Sequence, residues 1–563
     1  MSKPKPKDYF LPPHVDSDPG LVLAPVRDGR ALQTIVDGEA IFAALEEAVA
    51  AATKSVLIAF WSLDLGLPLF SKAALKGGGK NWLDLLVSVA KRGVLIRVLI
   101  NDFDPFFFGG GEAHFNAWLN YRVVADIARK GKLSNLQVVC ARHGAQIPAS
   151  SVDLVPGVRL VYPSVAAALN SMDLKPRALH FANSPGLWEV LDWAKDRTVV
   201  VRDKDKVFPI FPATHHQKIV LVDGRVAFTG GVNLIPRNRD SRLHTLLDKE
   251  ENPLAWHDAF LRVEGEPVGD IRDNFIGRWN EERKACETFL ATANAAITAV
   301  QMPIAATDEL DAKRLPLAAA DQAKPAFPCQ VHRTVSRPPS NWRGVPVLLR
   351  QDVLDGYLLA IGMAEEFIYI ENQYFRETAI ADAIIARHGK QRDLRTLIVL
   401  PDVAEELLQG RGDPVTNLGA YLQHGAIEKM QKAIGTSLGF FTMKRPTDAK
   451  LVYVHTKVLI VDDVYGNLGS ANVNPRSFRT DTELNLAWHD PVTVRNFRTD
   501  LWKEQLGSPS GMPSWRPTEY VKQWSAIAAQ NVRASAKRRK GYVFPFDNRA
   551  KGTPNPLIPD EFT

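Results

Sequence analysis

The 563 residues are 45% hydrophobic and 23% charged, a soluble globular composition on a chain too long for one hydrophobic core, so two domains with some decoration are expected. Net charge is +6, which favours anionic partners without choosing between phospholipid and nucleic acid. Cys140, Cys286 and Cys329 are odd in number and far apart, which excludes a disulfide framework and a cysteine zinc site.

Along the chain, residues 1–40 form an N-terminal extension whose basic start is followed by prolines and acids, where a secretion signal needs an apolar run. A first α/β domain is predicted over 41–300. Its amphipathic helix at 41–52 leads into an apolar strand at 55–64, and a further strand at 94–102 ends in Asp102. Residues 104–111 then read DPFFFGGG, an apolar loop suited to lining an acyl groove, dipping into a bilayer surface or filling a domain interface. The charge-free stretch 288–307 holds four threonines and Pro303, too polar for a membrane span. It reads as a helix end running into a linker at 301–343. A second domain over 344–505 repeats the pattern, with a helix at 353–364, a strand at 367–375 and a strand at 394–402 ending in Asp402. Residues 506–563 form a polar, proline-rich tail, packed at first and loosely held at its end, and the KRRK run at 537–540 reads as a solvated basic segment. Trp61 to His216 spans 155 residues and Tyr374 to His455 only 81, so the first half carries an insertion within about 102–202.

Each half contains the same motif: His216, Lys218, Asp223, Gly230, Gly231 and Asn233, then His455, Lys457, Asp462, Gly469, Ser470 and Asn472, with every spacing identical. Chance matches to one copy are expected on the order of 10⁻⁵ times in a chain of this composition. Alternating apolar residues put 214–222 on a strand, with His216, Lys218, Val220 and Val222 on one face and His215 on the other as a structural residue. Asp223 also points away from His216. Asp223-Gly224 signals a tight hairpin whose return strand brings Gly230, Gly231 and Asn233 beside the histidine and lysine, and Asp462 marks the equivalent turn. A neutral imidazole can attack phosphorus, a lysine can hold a phosphoryl oxygen, and an asparagine amide can donate to another. Glycine or serine permits close backbone approach. Cleaving a phosphodiester through a covalent intermediate needs a nucleophile and an acid for the leaving group, so two copies supply one complete site. The two lysines oppose a metal ion at the histidines.

These residues resemble the phospholipase D superfamily through the paired His-x-Lys-x4-Asp motif. They resemble its phospholipase branch through 214–220 (THHQKIV), 228–231 (FTGG), 256–258 (WHD) and 368–375 (IYIENQYF). The resemblance implies an α/β fold of two tandem α/β/α-sandwich domains sharing one active site at their interface. It implies His216 as nucleophile, His455 as general acid and then base, Lys218 and Lys457 as catalytic and phosphate-binding lysines, and no metal or organic cofactor. It also implies a carboxylate behind each histidine, which motif register places at Asp258 and Glu483, with Asp481 competing with the latter. Asn233, Asn472 and Ser477 are candidate phosphate donors, while Asp223, Asp462, Gly230, Gly231, Gly469 and Ser470 are structural.

The implied activity is phospholipase D hydrolysis of glycerophospholipids to phosphatidic acid and head group, with transfer to an alcohol as a variant. The alternatives are a cardiolipin synthase-like transferase and a nucleic-acid phosphodiesterase, the latter disfavoured by acids interspersed among the bases near the motifs. The expected partner is a phospholipid membrane surface, met peripherally by a monomer, with no nucleic acid. The expected location is cytoplasmic, or a target cell's membrane after a signal-independent route such as type VI secretion, with a secretion apparatus or immunity protein as partner.

Overall fold

The computed structural model describes residues 4–13, 22–77, 79–106, 110–155, 157–245, 254–319, 321–404, 413–510 and 512–563. Strands form where apolar and β-branched residues run together. The first half contains β1 (Arg27–Val36), β2 (Ser55–Phe60), β3 (Leu95–Asn101), β4 (Leu136–Ala141), a separate hairpin of β5 (Leu191–Trp193) and β6 (Val199–Val201), then β7 (Ile219–Val222), β8 (Val226–Gly230), β9 (Ala255–His257) and β10 (Ala259–Gly265). The second half contains β11 (Phe327–Ser340), β12 (Pro346–Gln351), β13 (Phe367–Glu371), β14 (Arg395–Val399), β15 (Leu438–Lys444), β16 (Leu451–Val454), β17 (Val458–Val461), β18 (Tyr465–Gly469), β19 (Glu483–His489) and β20 (Val543–Pro545).

Side by side, the first half runs β4-β3-β2-β7-β8-β10-β1. The second runs β15-β14-β13-β17-β18-β19-β11. In both, three parallel strands are followed by antiparallel ones in the same connectivity, so the α/β unit is used twice. The parallel strands are buried along nearly their whole length, as helix-covered parallel sheet requires. The halves are not separate sandwiches. The start of β1 pairs with β11 and β9 runs parallel to β16, giving one 18-stranded hydrogen-bonded sheet. A 30-residue helix, Pro267–Ala296, buries Ile271, Phe275, Trp279, Cys286 and Leu290 at helical spacing and packs on β4, β10 and β11, spanning both halves.

Several sequence expectations change here. The extension at 1–40 contributes β1, and the linker at 301–343 contains β11, a strand bonded on both sides to the sheet. Within 102–202, the helix Gly110–Lys130 and β4 belong to the repeated unit, since the helix Pro414–Ile434 and β15 match them. The extra material therefore follows β4, as three short helices and the β5–β6 hairpin. In the tail, helix Tyr520–Arg533 fully buries Trp524 and β20 pairs with β15. Arg539 is not simply solvated, because it donates to the Asn531 and Pro446 carbonyls. Phe107 and Phe108 lie outside the described residues, while Phe106 packs edge-on against Tyr162. Among the described residues no helix is long and apolar enough to cross a membrane.

The motif aspartates do more than turn hairpins. Asp223 and Gly224 take φ of +57° and +61°, and Asp462 and Asp463 take +53° and +55°, left-handed values that short polar residues and glycine tolerate. From there Asp223 accepts the Thr53, Lys54 and Ser55 N–H groups at 2.8–3.1 Å, and Asp462 accepts those of Glu365, Glu366 and Phe367 at 2.7–2.8 Å. Each thus ties its hairpin to the start of the neighbouring central strand, β2 or β13. Burial pushes the Asp223 carboxyl up, but the three N–H groups and the Thr53 hydroxyl outweigh it and hold it below its usual range. That stabilisation is present above the unfolded value, near pH 4, and is lost as pH falls through the lower folded value. Asp223→Asn should therefore lower stability by about 1–2 kcal/mol at pH 7, with the difference from wild type closing below about pH 4. Denaturant melts at the two pH values check this, and equal stability at pH 7 contradicts it.

Candidate active site

β7 begins at Ile219, not at Thr214 as the alternation suggests. Residues 214–216 leave the ladder because they pair with the opposite half. The Thr482 N–H donates to the Thr214 carbonyl (3.1 Å), and the His216 N–H donates to the Thr482 carbonyl (2.9 Å). The second motif does the same, since β16 lies along β9 and the His455 N–H donates to the His257 carbonyl (2.8 Å). Each motif histidine therefore runs beside the segment of the other half that carries an acid.

The consequence is a crosswise pair of contacts. His216 Nδ1 lies 2.9 and 3.1 Å from the two oxygens of Glu483, and His455 Nδ1 lies 2.7 Å from Asp258 Oδ2. All four residues are buried. With Nδ1 engaged, each ring keeps Nε2 for chemistry. Asp481, the competitor of Glu483, instead accepts the Thr214 N–H (2.7 Å) and Arg476 Nε (2.8 Å), bracing the crossing. His215 points elsewhere, with Nδ1 3.1 Å from Thr482 Oγ1 and Nε2 2.8 Å from Glu282.

The small motif residues make room for these carboxylates. A Cβ on Gly231 would stand 2.2 Å from Asp258 Oδ1, so only glycine admits the aspartate there. The second copy has Ser470 at this position, and its hydroxyl donates to Glu483 Oε2 (2.5 Å) while accepting the Leu484 N–H (3.1 Å). Gly230 and Gly469 are closely covered by β10 and β19 respectively.

Lys218 and Lys457 are fully buried. Lys218 Nζ donates to the His216 carbonyl (2.8 Å), and Lys457 Nζ donates to the His455 carbonyl and toward Gln373 Oε1 (3.4 Å). Asn233 is oriented by Oδ1 accepting the Ser62 N–H (3.2 Å). Asn472 donates its backbone N–H to Ser477 Oγ (3.0 Å), so Ser477 holds the second motif's loop with its oxygen and keeps its hydroxyl hydrogen for another acceptor. Two aromatic walls stand outside the predicted site residues: Trp61 is edge-on to His216 at 5.6 Å between ring centroids, and Trp256, the first residue of the WHD run, lies 4.8 Å from the His455 ring.

Burial dominates the electrostatics. It lowers His216, with Glu483 opposing and Lys218 adding to the effect. It lowers His455 well below the usual imidazole value, with Lys457, Lys218 and His216 all adding to the effect, so both motifs face one another electrically. The carboxylates differ. Burial pushes Asp258 up to about 7 against the pull of Lys457, whereas burial of Glu483 is outweighed by His216, Lys218 and the Ser470 hydroxyl, which hold it below its usual range. Two buried ammonium groups beside two rings oppose a metal cation at this place and suit an anion with several acceptor oxygens.

Two family models match this chain, "Phospholipase D" over residues 247–382 and "Cardiolipin synthase, PLD-like domain" over 357–504. Phospholipase D1 of Saccharomyces cerevisiae is 23% identical, covering 86% of this chain and 28% of the yeast protein. Phospholipase D alpha 4 of Arabidopsis thaliana is 25% identical, covering 52% of this chain and 49% of its own length. The chain thus spans about half or less of these relatives. Among solved structures, phosphatidylserine synthase of Haemophilus influenzae aligns over 91% of this chain and 96% of its own, at 13% identity and a TM-score of 0.47. The matching family models, over residues 247–382 and 357–504, and the relatives support assignment of the chain to the phospholipase D superfamily.

Proposed function

We propose that this protein is a phospholipase D that cleaves the distal phosphodiester of glycerophospholipids, releasing the head group and leaving phosphatidic acid. The observation that carries this reading is the crosswise pairing: two buried histidines, each held at Nδ1 by a carboxylate from the opposite half, with a buried lysine beside each. The substrate phosphate sits between the motifs, its non-bridging oxygens held by Lys218, Lys457 and the Asn233 and Asn472 amides. Neutral His216 attacks phosphorus through Nε2 while His455 gives its Nε2 proton to the departing head-group oxygen, leaving a phosphatidyl-histidine. His455 then takes a proton from water as that water attacks the intermediate and regenerates His216.

The carboxylate asymmetry supports this order of roles. Glu483 is held ionised and accepts the Nδ1 proton of a neutral His216, as a nucleophile requires. The Asp258–His455 pair retains an extra proton up to about pH 7, as a general acid requires, and an incoming phosphate anion between the lysines raises the proton affinity of His455 further. A phosphatidyltransferase is the second reading, favoured by the match of residues 357–504 to the cardiolipin synthase-type model. It uses the same intermediate with an alcohol in place of water.

His216→Ala and His455→Ala should each reduce phosphatidic acid release from mixed phospholipid vesicles by at least about 10³-fold with unchanged circular dichroism, and neither should release nucleotides from DNA. Retention of activity in either variant breaks the mechanism. Turnover of ³²P-labelled phospholipid quenched in alkaline detergent, where the P–N bond survives, should leave label on His216, and label on His455 would reverse the roles. The same reactions with added glycerol separate hydrolysis from transfer by their products. Because the acid needs its proton, kcat/KM should fall above about pH 7, in line with Asp258 being pushed up to about 7. Asp258→Asn should remove this limb and lower kcat by about 10²–10⁴-fold, and a profile unchanged by Asp258→Asn would remove Asp258 from the acid's control.

A further inference from the structure

We propose that Asp37, His244, His257 and Glu504 form a binding site for one zinc-class divalent cation, separate from the catalytic pair. The four side chains come from distant parts of the chain: Asp37 just ahead of helix Gly38–Ala50, His244 in the loop after the first motif, His257 at the end of β9, and Glu504 in helix Pro491–Leu506. Each offers one ligand atom, and these atoms all lie within 4.8 Å of one another. The aspartate and both histidines are at most 1% exposed.

The spacing is that of a coordination shell. His244 Nε2 lies 2.8 Å from Glu504 Oε1, and His257 Nδ1 lies 3.0 Å from Asp37 Oδ1 and 3.3 Å from Glu504 Oε1. Tetrahedral bonds of about 2.0–2.1 Å to nitrogen and oxygen give ligand-to-ligand edges of about 3.3–3.4 Å, so a small expansion admits the ion. Hydrogen bonding alone serves these atoms less well. One hydrogen on His257 Nδ1 faces two carboxylate oxygens and bonds only that of Asp37, while the buried Asp37 Oδ2 has no hydrogen-bond partner.

The outer contacts also fit. A metal-binding imidazole usually gives its other nitrogen to a carboxylate; His244 does so, with Nδ1 3.0 Å from Asp240 Oδ2, and His257 Nε2 faces Glu371 Oε2 at 3.3 Å without hydrogen-bonding geometry. Arg242 takes the outer edges. It donates to Glu504 Oε2, and its Nε lies 3.7 Å from Asp37 Oδ2. Arg242 also holds Asp500, so five carboxylates, Asp37, Asp240, Glu371, Glu504 and Asp500, stand against one guanidinium. A divalent cation with two neutral rings and no cation with two imidazolium rings leave the same net charge, so the decision falls to geometry. The ion enters as the protons on His244 Nε2 and His257 Nδ1 leave. Two imidazoles and two carboxylates favour zinc over calcium or magnesium, which take mainly oxygen ligands.

The test is metal analysis of the full-length protein purified without chelator, followed by zinc titration of chelator-stripped wild type. The expected result is one zinc per chain, a Tm at least about 3 °C higher with excess zinc than without, no such shift with calcium or magnesium, and tetrahedral visible absorption when cobalt(II) is supplied. His244→Gln should weaken zinc binding by at least about tenfold. Absence of stoichiometric zinc together with an unchanged Tm overturns the proposal and leaves two imidazolium rings neutralising the acids. Zinc binding undiminished in a folded His244→Gln places the ion elsewhere and also overturns it. Should that variant not fold, the wild-type stoichiometry, Tm and cobalt spectrum decide alone.

Discussion

The architecture turns on one constraint: the carboxylate behind each motif histidine belongs to the other half of the chain. Glu483 reaches His216 and Asp258 reaches His455 because residues 214–216 run beside 481–483 and β16 runs beside β9. A half standing alone would bury an imidazole without its acid and an acid without its imidazole, each a costly state in a low-dielectric interior. Joining the halves and assembling the site are therefore one event. The β1–β11 pairing and the helix Pro267–Ala296, which contacts strands of both halves, hold the crossing from behind.

Duplication gives near symmetry, and the departures from it distinguish the two histidines. Gly231 leaves a cavity into which the short Asp258 side chain fits, while Ser470 fills the equivalent space and gives Glu483 an additional hydrogen bond. A buried carboxylate with an extra donor stays ionised more readily than one without, in keeping with the opposite directions in which Glu483 and Asp258 are moved. One residue difference in a repeated motif thus bears on protonation at two sites.

The repeated motif and the matched central strands were legible because duplication prints the same spacing twice, and each central strand is an uninterrupted apolar run. The acids were legible by position, but which histidine each would serve was not. That pairing depends on parallel backbone contacts between segments more than two hundred residues apart in the first case, and no spacing within one half encodes them. β1 was hidden by its mixture of Arg27, Asp28, Arg30 and Gln33, exposed or half-buried on the strand that joins the two halves. β11 was hidden by Pro338 and Pro339, which read as linker and sit at its far end. The break of β7 before Ile219 was hidden for a related reason, since apolar alternation reports a strand's faces without reporting which partner its backbone meets. Asp37, His244, His257 and Glu504 share no sequence pattern at all, and only the fold collects them.

In the proposed function Lys218 and Lys457 are the groups this arrangement serves. Both side chains are fully buried, burial holds Lys218 well below its ordinary value, and each lysine leans on the carbonyl of its own motif histidine. This concentration of donors is an electrostatic burden, because burial and the neighbouring Lys457 both oppose the charge on Lys218. A phosphate diester carries one negative charge and two non-bridging oxygens, which answers both ammonium groups at once, and the developing charge on phosphorus during displacement answers them more strongly still. The strand crossing that supplies each histidine with its acid also fixes the backbone carbonyls on which the lysines rest, so in the reaction proposed above the rigidity that aligns the two histidines is the same rigidity that holds the lysines for the phosphate.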